Sequence, residues 1–257
     1  TNSSASTATY ADGQSVSGVG SGANVTLYAI WKNYFSYTGS YNVISDGSGN
    51  WRIKLLSSGT LNINYATTID LFLVGGGGGG SERLAGAGGG YTRTIKSILT
   101  EANSSKEIVV GKGGSYQSAG SESSAWGYKA AGGGGGGGTG NGANGGSGGG
   151  AKGPNNDYGP DGGSGGTNGA NGTSAEDGSY SGGCGQIKCA GPNGETGITR
   201  EFGETTGDLY AAGGGGGAAK NNRWGKNGTV TTQANSGAAG RGYDSGQDGI
   251  VIIRNHR

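Results

Sequence analysis

Residues 68–80 read TIDLFLVGGGGGG, so that a run of six glycines directly follows a strongly apolar segment. The β-branched and aromatic residues of 68–74 predict a buried strand. Pure glycine runs also follow YKAA, at 132–138, and LYAA, at 213–217. Because the same order of strand and glycine run recurs, it indicates that the glycine runs are packed structure and not flexible linkers, the usual fate of glycine-rich sequence.

A three-residue period predicts how these glycines pack. In the mixed tract DGGSGGTNGANG, residues 161–172, every third residue from Gly163 onward is glycine. Three residues per turn is the repeat of the polyproline-II helix, which glycine adopts as polyglycine II. This helix has no internal hydrogen bonds, so every buried N–H and C=O needs a partner on a neighbouring segment. Since glycine has no Cβ, we expect a bundle of such helices with a core made of backbone.

Composition excludes several classes of protein. The chain has 66 glycines in 257 residues and is only 30% hydrophobic, but three prolines and no Gly-X-Y register exclude a collagen triple helix. A net charge of +1 provides no excess of positive charge with which to bind nucleic acid. No apolar stretch is long enough to span a bilayer. We therefore expect no nucleic-acid partner and no membrane insertion.

Strand-like segments lie on both sides of the glycine runs, and no segment shows helical periodicity. The sequence therefore predicts an all-β fold with almost no α-helix. The predicted strands are Val25 to Lys32, Trp51 to Leu56, Thr60 to Tyr65, Thr68 to Val74, Tyr91 to Leu99, Lys106 to Val110, Ala125 to Ala131, Leu209 to Ala212 and Gly249 to Arg254.

The first 34 residues resemble part of a known repeat. Residues 9–32, TYADGQSVSGVGSGANVTLYAIWK, are similar to the C-terminal half of a Listeria–Bacteroides repeat, a β-grasp-like module of bacterial surface proteins. The resemblance implies that residues 1–34 are a partial repeat or linker and that 35–257 form a separate glycine-rich domain. Because the chain lacks Met and a signal peptide, Thr1 is expected to be an internal residue of a longer protein.

The remainder of the chain resembles the glycine-rich domains of bacterial surface proteins and phage tail-fibre tips. The strings that carry this resemblance are WRIKLLSSGTLNI, TIDLFLVGGGGGG, GGGYTRTI, IVVGKGG, AAGGGGGGG and DGIVIIR. In the tip adhesins of T-even-like phages, polyglycine-II motifs support variable segments that contact the host receptor. The glycine-rich ectodomain of anaplastic lymphoma kinase pairs a similar bundle with a jelly-roll-like sandwich. The resemblance thus implies a jelly-roll-like β-sandwich continuous with a polyglycine-II bundle.

Segments of different composition interrupt the glycine tracts at 151–160, 174–180, 184–210 and 218–230, and these are the expected binding loops. Aromatic and arginine side chains on supported loops suit a binding surface, because they bury much area at small entropic cost. The alternative is that each ring packs on the glycine bundle as a lid. The candidate receptor-binding residues are Asp157, Tyr158, Tyr180, Lys188, Arg200, Phe202, Arg223 and Trp224.

The sequence has few side chains suited to metal binding or catalysis. Cys184 and Cys189, the two cysteines, lie in one interrupting segment; a disulfide between them is favoured, with two free thiols as the alternative. Zinc would need further Cys or His ligands, and the one histidine is His256. A lone histidine next to the last residue also disfavours a Ser-His-Asp or Cys-His site. We expect no enzyme activity, no metal and no cofactor.

Two functions remain open at this point. The first is an extracellular receptor-binding adhesin, on a virion tail fibre or a bacterial cell surface, that contacts a host cell-surface protein or glycan. The second is a structural surface or fibre-forming protein that assembles through its glycine-rich lattice. Either would be joined to the remainder of a longer fibre or surface protein and could form a homo-oligomer. Long interrupting segments favour the adhesin, because an assembly protein is expected to have shorter and more uniform ones.

Overall fold

A computed structural model describes residues 34–47, 50–81, 86–137, 141–149, 199–204, 206–214, 217–218, 223–224, 235–240 and 242–256. Phe35–Arg257 forms one compact unit and Thr1–Tyr34 another. The predicted partial repeat, its strand at Val25 to Lys32 and the mixed tract at 161–172 lie outside the described residues, so they stay predictions.

Strands dominate the described part of the chain. In chain order they are β1 Phe35–Tyr37, β2 Tyr41–Gly47, β3 Asn50–Leu55, β4 Gly59–Ile63, β5 Thr67–Val74, β6 Thr92–Thr100, β7 Ser104–Val109, β8 Ser123–Ala125, β9 Tyr128–Ala130, β10 Thr199–Arg200, β11 Leu209–Tyr210, β12 Gly217–Ala218, β13 Arg223–Trp224 and β14 Ile250–His256. Among the described residues the helical structure is one 3₁₀ turn, Glu201–Gly203. The all-β prediction is confirmed.

The strands form two five-stranded antiparallel sheets. The first has the order β1-β4-β7-β8-β9 and the second β2-β3-β14-β5-β6, while β10 pairs with β11 and β12 with β13. Aromatic rings join the two sheets, since Phe35 of β1 lies 5.3 Å from Trp51 of β3 and 5.7 Å from Tyr41 of β2 between ring centroids. The jelly-roll-like description of this pair of sheets stays a prediction.

The closing segment of the chain, β14, occupies the centre of the second sheet between β3 and β5. Its residues Ile250–Ile253 are all buried, and Ile253 lies opposite both Ile53 and Leu71. A run that is apolar at every position is typical of a strand covered on both faces. The hydrophobic core is therefore concentrated around β14, β3 and β5.

Apart from the two-residue strands β10, β12 and β13, which it did not include, the strand prediction differs from the structure in two places. The expected single strand from Ala125 to Ala131 is wrong, because Trp126 and Gly127, with φ of 50° and 77°, turn the chain between β8 and β9. Positive φ at both central residues is the geometry of a tight β-hairpin turn. The sequence also did not predict β1 and β2, which are short or polar strands at the sheet edges.

The run Gly75–Gly80 continues directly from β5 and donates each of its six N–H groups to another segment at 2.9 Å. The acceptors repeat every three residues, so residues i and i+3 always donate to the same segment. Gly75 and Gly78 donate to 88–91, Gly76 and Gly79 to 118–121, and Gly77 and Gly80 to 244–247. In each pair the acceptor number falls as the donor number rises, so these three segments run antiparallel to the glycine run.

The carbonyl groups of the same run bind three further segments. Gly76 and Gly79 accept from 133–136, Gly77 and Gly80 accept from 114–117, and Gly78 accepts from Gly240, all at 2.8 to 2.9 Å. In the first two pairs the residue numbers rise together, so these segments run parallel to the glycine run. Six segments thus surround Gly75–Gly80, three accepting and three donating. A three-residue repeat with every bond made to neighbours is polyglycine II, so the predicted bundle is confirmed for the described tracts.

The close approach of these segments leaves no room for a Cβ. A Cβ on Gly76 would lie 2.1 Å from the carbonyl oxygen of Lys112, and one on Gly78 would lie 2.0 Å from that of Gly134. An α-hydrogen in place of the Cβ instead points at the carbonyl oxygen and gives a weak Cα–H···O contact. The interior of the bundle therefore consists of backbone, as the glycine content predicts.

Among the described residues, no helix has the length and apolar character needed to cross a bilayer.

We expect Gly76→Ala to destabilise the domain by about 3 kcal/mol or more, because the new methyl group meets backbone that six neighbours hold in place. Gly134→Ala is the matched control, since its Cβ would lie 3.1 Å from the nearest atom; we expect it to cost about 1 kcal/mol or less. Chemical denaturation followed by tyrosine and tryptophan fluorescence measures both. Equal losses for the two variants would contradict the backbone-core description.

Candidate functional site

Two turns and several chain ends meet at one end of the glycine bundle, which we call the tip. The run Gly75–Gly80 starts at the sheet, so Gly80 marks the end remote from β5. Gly80 accepts a hydrogen bond from Gln117 and donates one to Asp244, each at 2.9 Å. The turns at 115–118 and 242–244 therefore lie at the tip.

Two of the long interrupting segments also begin at the tip. Gly88 pairs with Gly78 on an antiparallel segment, so Gly86 lies level with Gly80. Gly214 donates to the neighbouring Ala87 at 2.8 Å, and a Cβ on Gly149 would lie 2.2 Å from the carbonyl oxygen of Gly86. Gly149 and Gly214 are thus the points from which the chain leaves the tip to enter residues 150–198 and 215–234.

An exposed pair of tyrosines lies at the tip, one on each turn. The rings of Tyr116 and Tyr243 stack at 5.5 Å between centroids with an interplanar angle of 24°. Tyr116 is 41% exposed and Tyr243 62% exposed. Exposed rings on turns that a rigid scaffold supports are typical of binding surfaces.

Sequence reasoning missed these two tyrosines because it considered only the long interruptions. The available signal was a single aromatic residue within each short polar turn between glycine segments, in GGSYQSAG and GRGYDSGQ.

Half of the predicted receptor-binding residues lie outside the described part of the chain. This holds for Asp157, Tyr158, Tyr180 and Lys188, and for the proposed disulfide of Cys184 and Cys189, so these stay predictions. Arg223 and Trp224 form β13, whose backbone pairs with β12. Arg200 is in β10, and its guanidinium donates to the carbonyl oxygen of Gly207.

Phe202 is the one predicted loop-tip ring that the structure contradicts. It is 2% exposed, with its ring centroid 6.0 Å from that of Phe72. The guanidinium carbon of Arg254 lies 4.1 Å from the Phe202 ring centroid. The expectation that this ring is presented to a receptor is wrong, because the ring fills the core between the 3₁₀ turn and the second sheet.

Residues 199–204 and 206–210, which we call the anchor hairpin, attach the returning end of the 150–198 segment to the second sheet. Tyr210 is fully buried, and its ring lies 5.4 Å from Phe72 in an edge-to-face arrangement. Together with Phe202 it forms a cluster with Phe72 and Ile252 on one face of the sheet. The anchor hairpin therefore covers a sheet face that β14 and β5 would otherwise expose.

A buried carboxylate completes this attachment. Glu201 is 1% exposed, and one of its oxygens lies 2.6 Å from Lys54 Nζ and accepts from Tyr210 Oη at 2.7 Å. Its other oxygen accepts from Arg52. Burial alone would raise the pKa of Glu201, but the hydrogen bonds from Lys54, Tyr210 and Arg52 outweigh it and hold that pKa below its ordinary value. Arg52 and Lys54 project from the same face of β3, two residues apart.

The described residues contain no group of three or more Asp, Glu, His or Cys side chains arranged to hold a metal ion.

A family profile of the glycine-rich domain matches residues 56–256. The chain belongs to this glycine-rich domain family. The match begins just after β3 and runs through β14, so it includes strands of both sheets, the glycine bundle and the anchor hairpin, but not β1, β2 or β3. No curated protein matches the chain.

We expect the anchor hairpin of this glycine-rich domain to weaken in acid. Because the pKa of Glu201 is lowered in the folded protein, its stabilising effect is complete above the unfolded value of about 4.3 and is lost as the pH falls through the folded value. Glu201→Gln should cost about 2 kcal/mol at pH 7, since Arg52 and Lys54 keep other carboxylate partners. Thermal melting of both proteins from pH 7 to pH 3 measures this. The wild-type protein should lose more stability than the variant below about pH 4.5; parallel curves would contradict the assignment.

Proposed function

We propose that this glycine-rich domain is an extracellular receptor-binding adhesin that presents its tip to a host cell surface. The observation that carries the proposal is the stacked, exposed pair of Tyr116 and Tyr243 at the end of the bundle where the chain ends also converge. In this arrangement the proposed binding surface lies at one end of the bundle. The two sheets lie at the other end of the bundle.

The scaffold suits this role because it holds the tip rigidly. Each of the two tyrosine-bearing turns is joined to Gly80 by a backbone hydrogen bond of 2.9 Å. Turns fixed in this way lose little conformational entropy when a partner binds, which increases affinity for a given contact area. Tyrosine adds a large, rigid surface with an apolar face and a polar hydroxyl.

The long interruptions would extend the same surface. Residues 150–198 leave the bundle at Gly149, which lies at the tip, and return through the anchor hairpin. We propose that Asp157, Tyr158, Tyr180 and Lys188 in this segment, with Arg223 and Trp224 beyond Gly214, contribute to binding. The partner would be a host cell-surface protein or glycan, and the domain would be the end of a longer tail fibre or surface protein.

The test replaces the two tip tyrosines and compares binding to whole cells. We expect Tyr116→Ser with Tyr243→Ser to weaken binding of labelled domain to a panel of bacterial strains by at least about 2 kcal/mol, roughly thirtyfold in Kd. Tyr65→Ser is the matched control, because Tyr65 is 43% exposed and precedes β5, at the end of the sheet remote from the bundle. Thermal melting confirms that both variants remain folded.

The outcomes separate the proposed adhesin from a structural protein. Loss of binding in the double variant, with the control unchanged, supports a binding tip. Equal binding of the parent and the double variant removes the tyrosine pair from the site. A parent that binds no strain but forms fibres in electron micrographs favours assembly through the glycine lattice.

A further inference from the structure

Three reactive side chains meet where the anchor hairpin is attached to the second sheet. Lys54 Nζ on β3 lies 2.7 Å from Asp208 Oδ2, on the residue that precedes β11, and 2.6 Å from Glu201 Oε1. It also donates to Tyr210 Oη at 3.1 Å. The amine thus contacts two carboxylates at once, and 154 residues of chain separate it from Asp208.

We propose that Lys54 and Asp208 become joined by an amide bond between their side chains, with Glu201 moving a proton from the nitrogen to the leaving hydroxyl group. The product is an intramolecular crosslink between β3 and the anchor hairpin. The same pair of groups on a flexible surface would remain an ordinary ion pair.

The Lys54 amine is largely enclosed by protein, whereas the carboxylate that it attacks is partly open to water. The side chain of Lys54 is 12% exposed and that of Glu201 is 1% exposed, while that of Asp208 is 34% exposed. The ring of Tyr210 lies beside Nζ, 5.8 Å from its centroid.

The short distance between the Lys54 amine and the Asp208 carboxylate accelerates the reaction. The amine nitrogen is in hydrogen-bond contact with a carboxylate oxygen, one bond from the carbon that it attacks. Because β3 lies inside the sheet and the anchor hairpin is held by Phe202 and Tyr210, both groups stay in this geometry. Groups held in this way react with effective concentrations of about 10⁵ to 10⁸ M.

The reaction is balanced without an oxidant or a further reactant. The Lys54 ammonium passes one proton directly to the Asp208 oxygen that it contacts at 2.7 Å, and Asp208 becomes the neutral acid. The lone pair on Nζ attacks Cγ of Asp208 and forms the C–N bond. Glu201 then moves a second proton from nitrogen to the hydroxyl group on Cγ, the C–O bond breaks, and one water molecule leaves. Arg52, bound to the other oxygen of Glu201, orients the carboxylate for this transfer.

The crosslink would strengthen the attachment of the 150–198 segment. This segment is fixed to the bundle at Gly149 and returns to the sheet through the anchor hairpin. A covalent bond at Asp208 would keep the returning end on β3 even when heat, acid or mechanical load disrupts the ionic contacts.

The test is the intact mass of the purified, reduced domain, followed by peptide mapping. We expect a mass lower than that of the sequence by one water molecule, and a branched peptide that joins Lys54 to Asp208 at which trypsin fails to cleave. A succinimide at an Asp-Gly pair such as Asp46-Gly47 gives the same mass loss, so the branched peptide decides between the two. Lys112 and Asp248, in contact at 2.8 Å with Lys112 69% exposed, are the internal control and should remain unlinked.

Variants of Lys54, Asp208 and Glu201 test the role of each residue. Lys54→Arg keeps the charge but lacks a nucleophilic amine, and Asp208→Ala lacks the carbon that is attacked, so both should show the full sequence mass. Glu201→Gln should slow formation by about 100-fold or more, the usual contribution of a positioned proton carrier. A wild-type domain with full mass, or one whose missing water maps to another residue, would overturn the proposal. Linkage of Glu201→Gln at the wild-type rate would overturn the role of Glu201.

Discussion

The hydrogen bonds between glycine segments are the interaction on which the rest of this structure depends. Gly75–Gly80 bonds to six neighbouring segments, and it does so because no side chain separates the backbones. An ordinary domain gains most of its stability from apolar side chains, of which this chain has few. Here the backbone N–H and C=O groups are hydrogen-bonded and the segments are close-packed at the same time. A chain of low hydrophobicity can therefore still form a stable interior.

The two sheets and the bundle stabilise each other because the chain runs directly from one into the other. β5 becomes the central glycine run at Val74, and the segment that leads into β14 borders the same run from 244 onward. The sheets therefore fix the near ends of the glycine segments, and the turns at the tip are held by the far ends. This division explains why the exposed pair of Tyr116 and Tyr243 lies at one end, whereas the apolar and ionic attachment of the anchor hairpin lies at the other.

The sequence predicts the glycine bundle and most central strands because both leave strong local patterns. A pure glycine run has few packed structures open to it other than polyglycine II. The segment GIVIIR predicts a strand buried on both faces. The sequence does not predict which segments border Gly75–Gly80, since every glycine run offers the same donors and acceptors. Phe202 and Tyr116 show the same limit in the site: both are aromatic residues between glycine tracts, and only the fold places one in the core and the other at the tip.

Amide hydrogen exchange measured by NMR tests the central claim that the glycine lattice is a core. If the lattice is a core, the N–H groups of Gly76–Gly79 exchange as slowly as those of Val251–Ile253 in β14, at least about 1,000-fold more slowly than in an unstructured chain, because both open only on global unfolding. Exchange of these glycines at the rate of an unstructured chain, with β14 still protected, would contradict it.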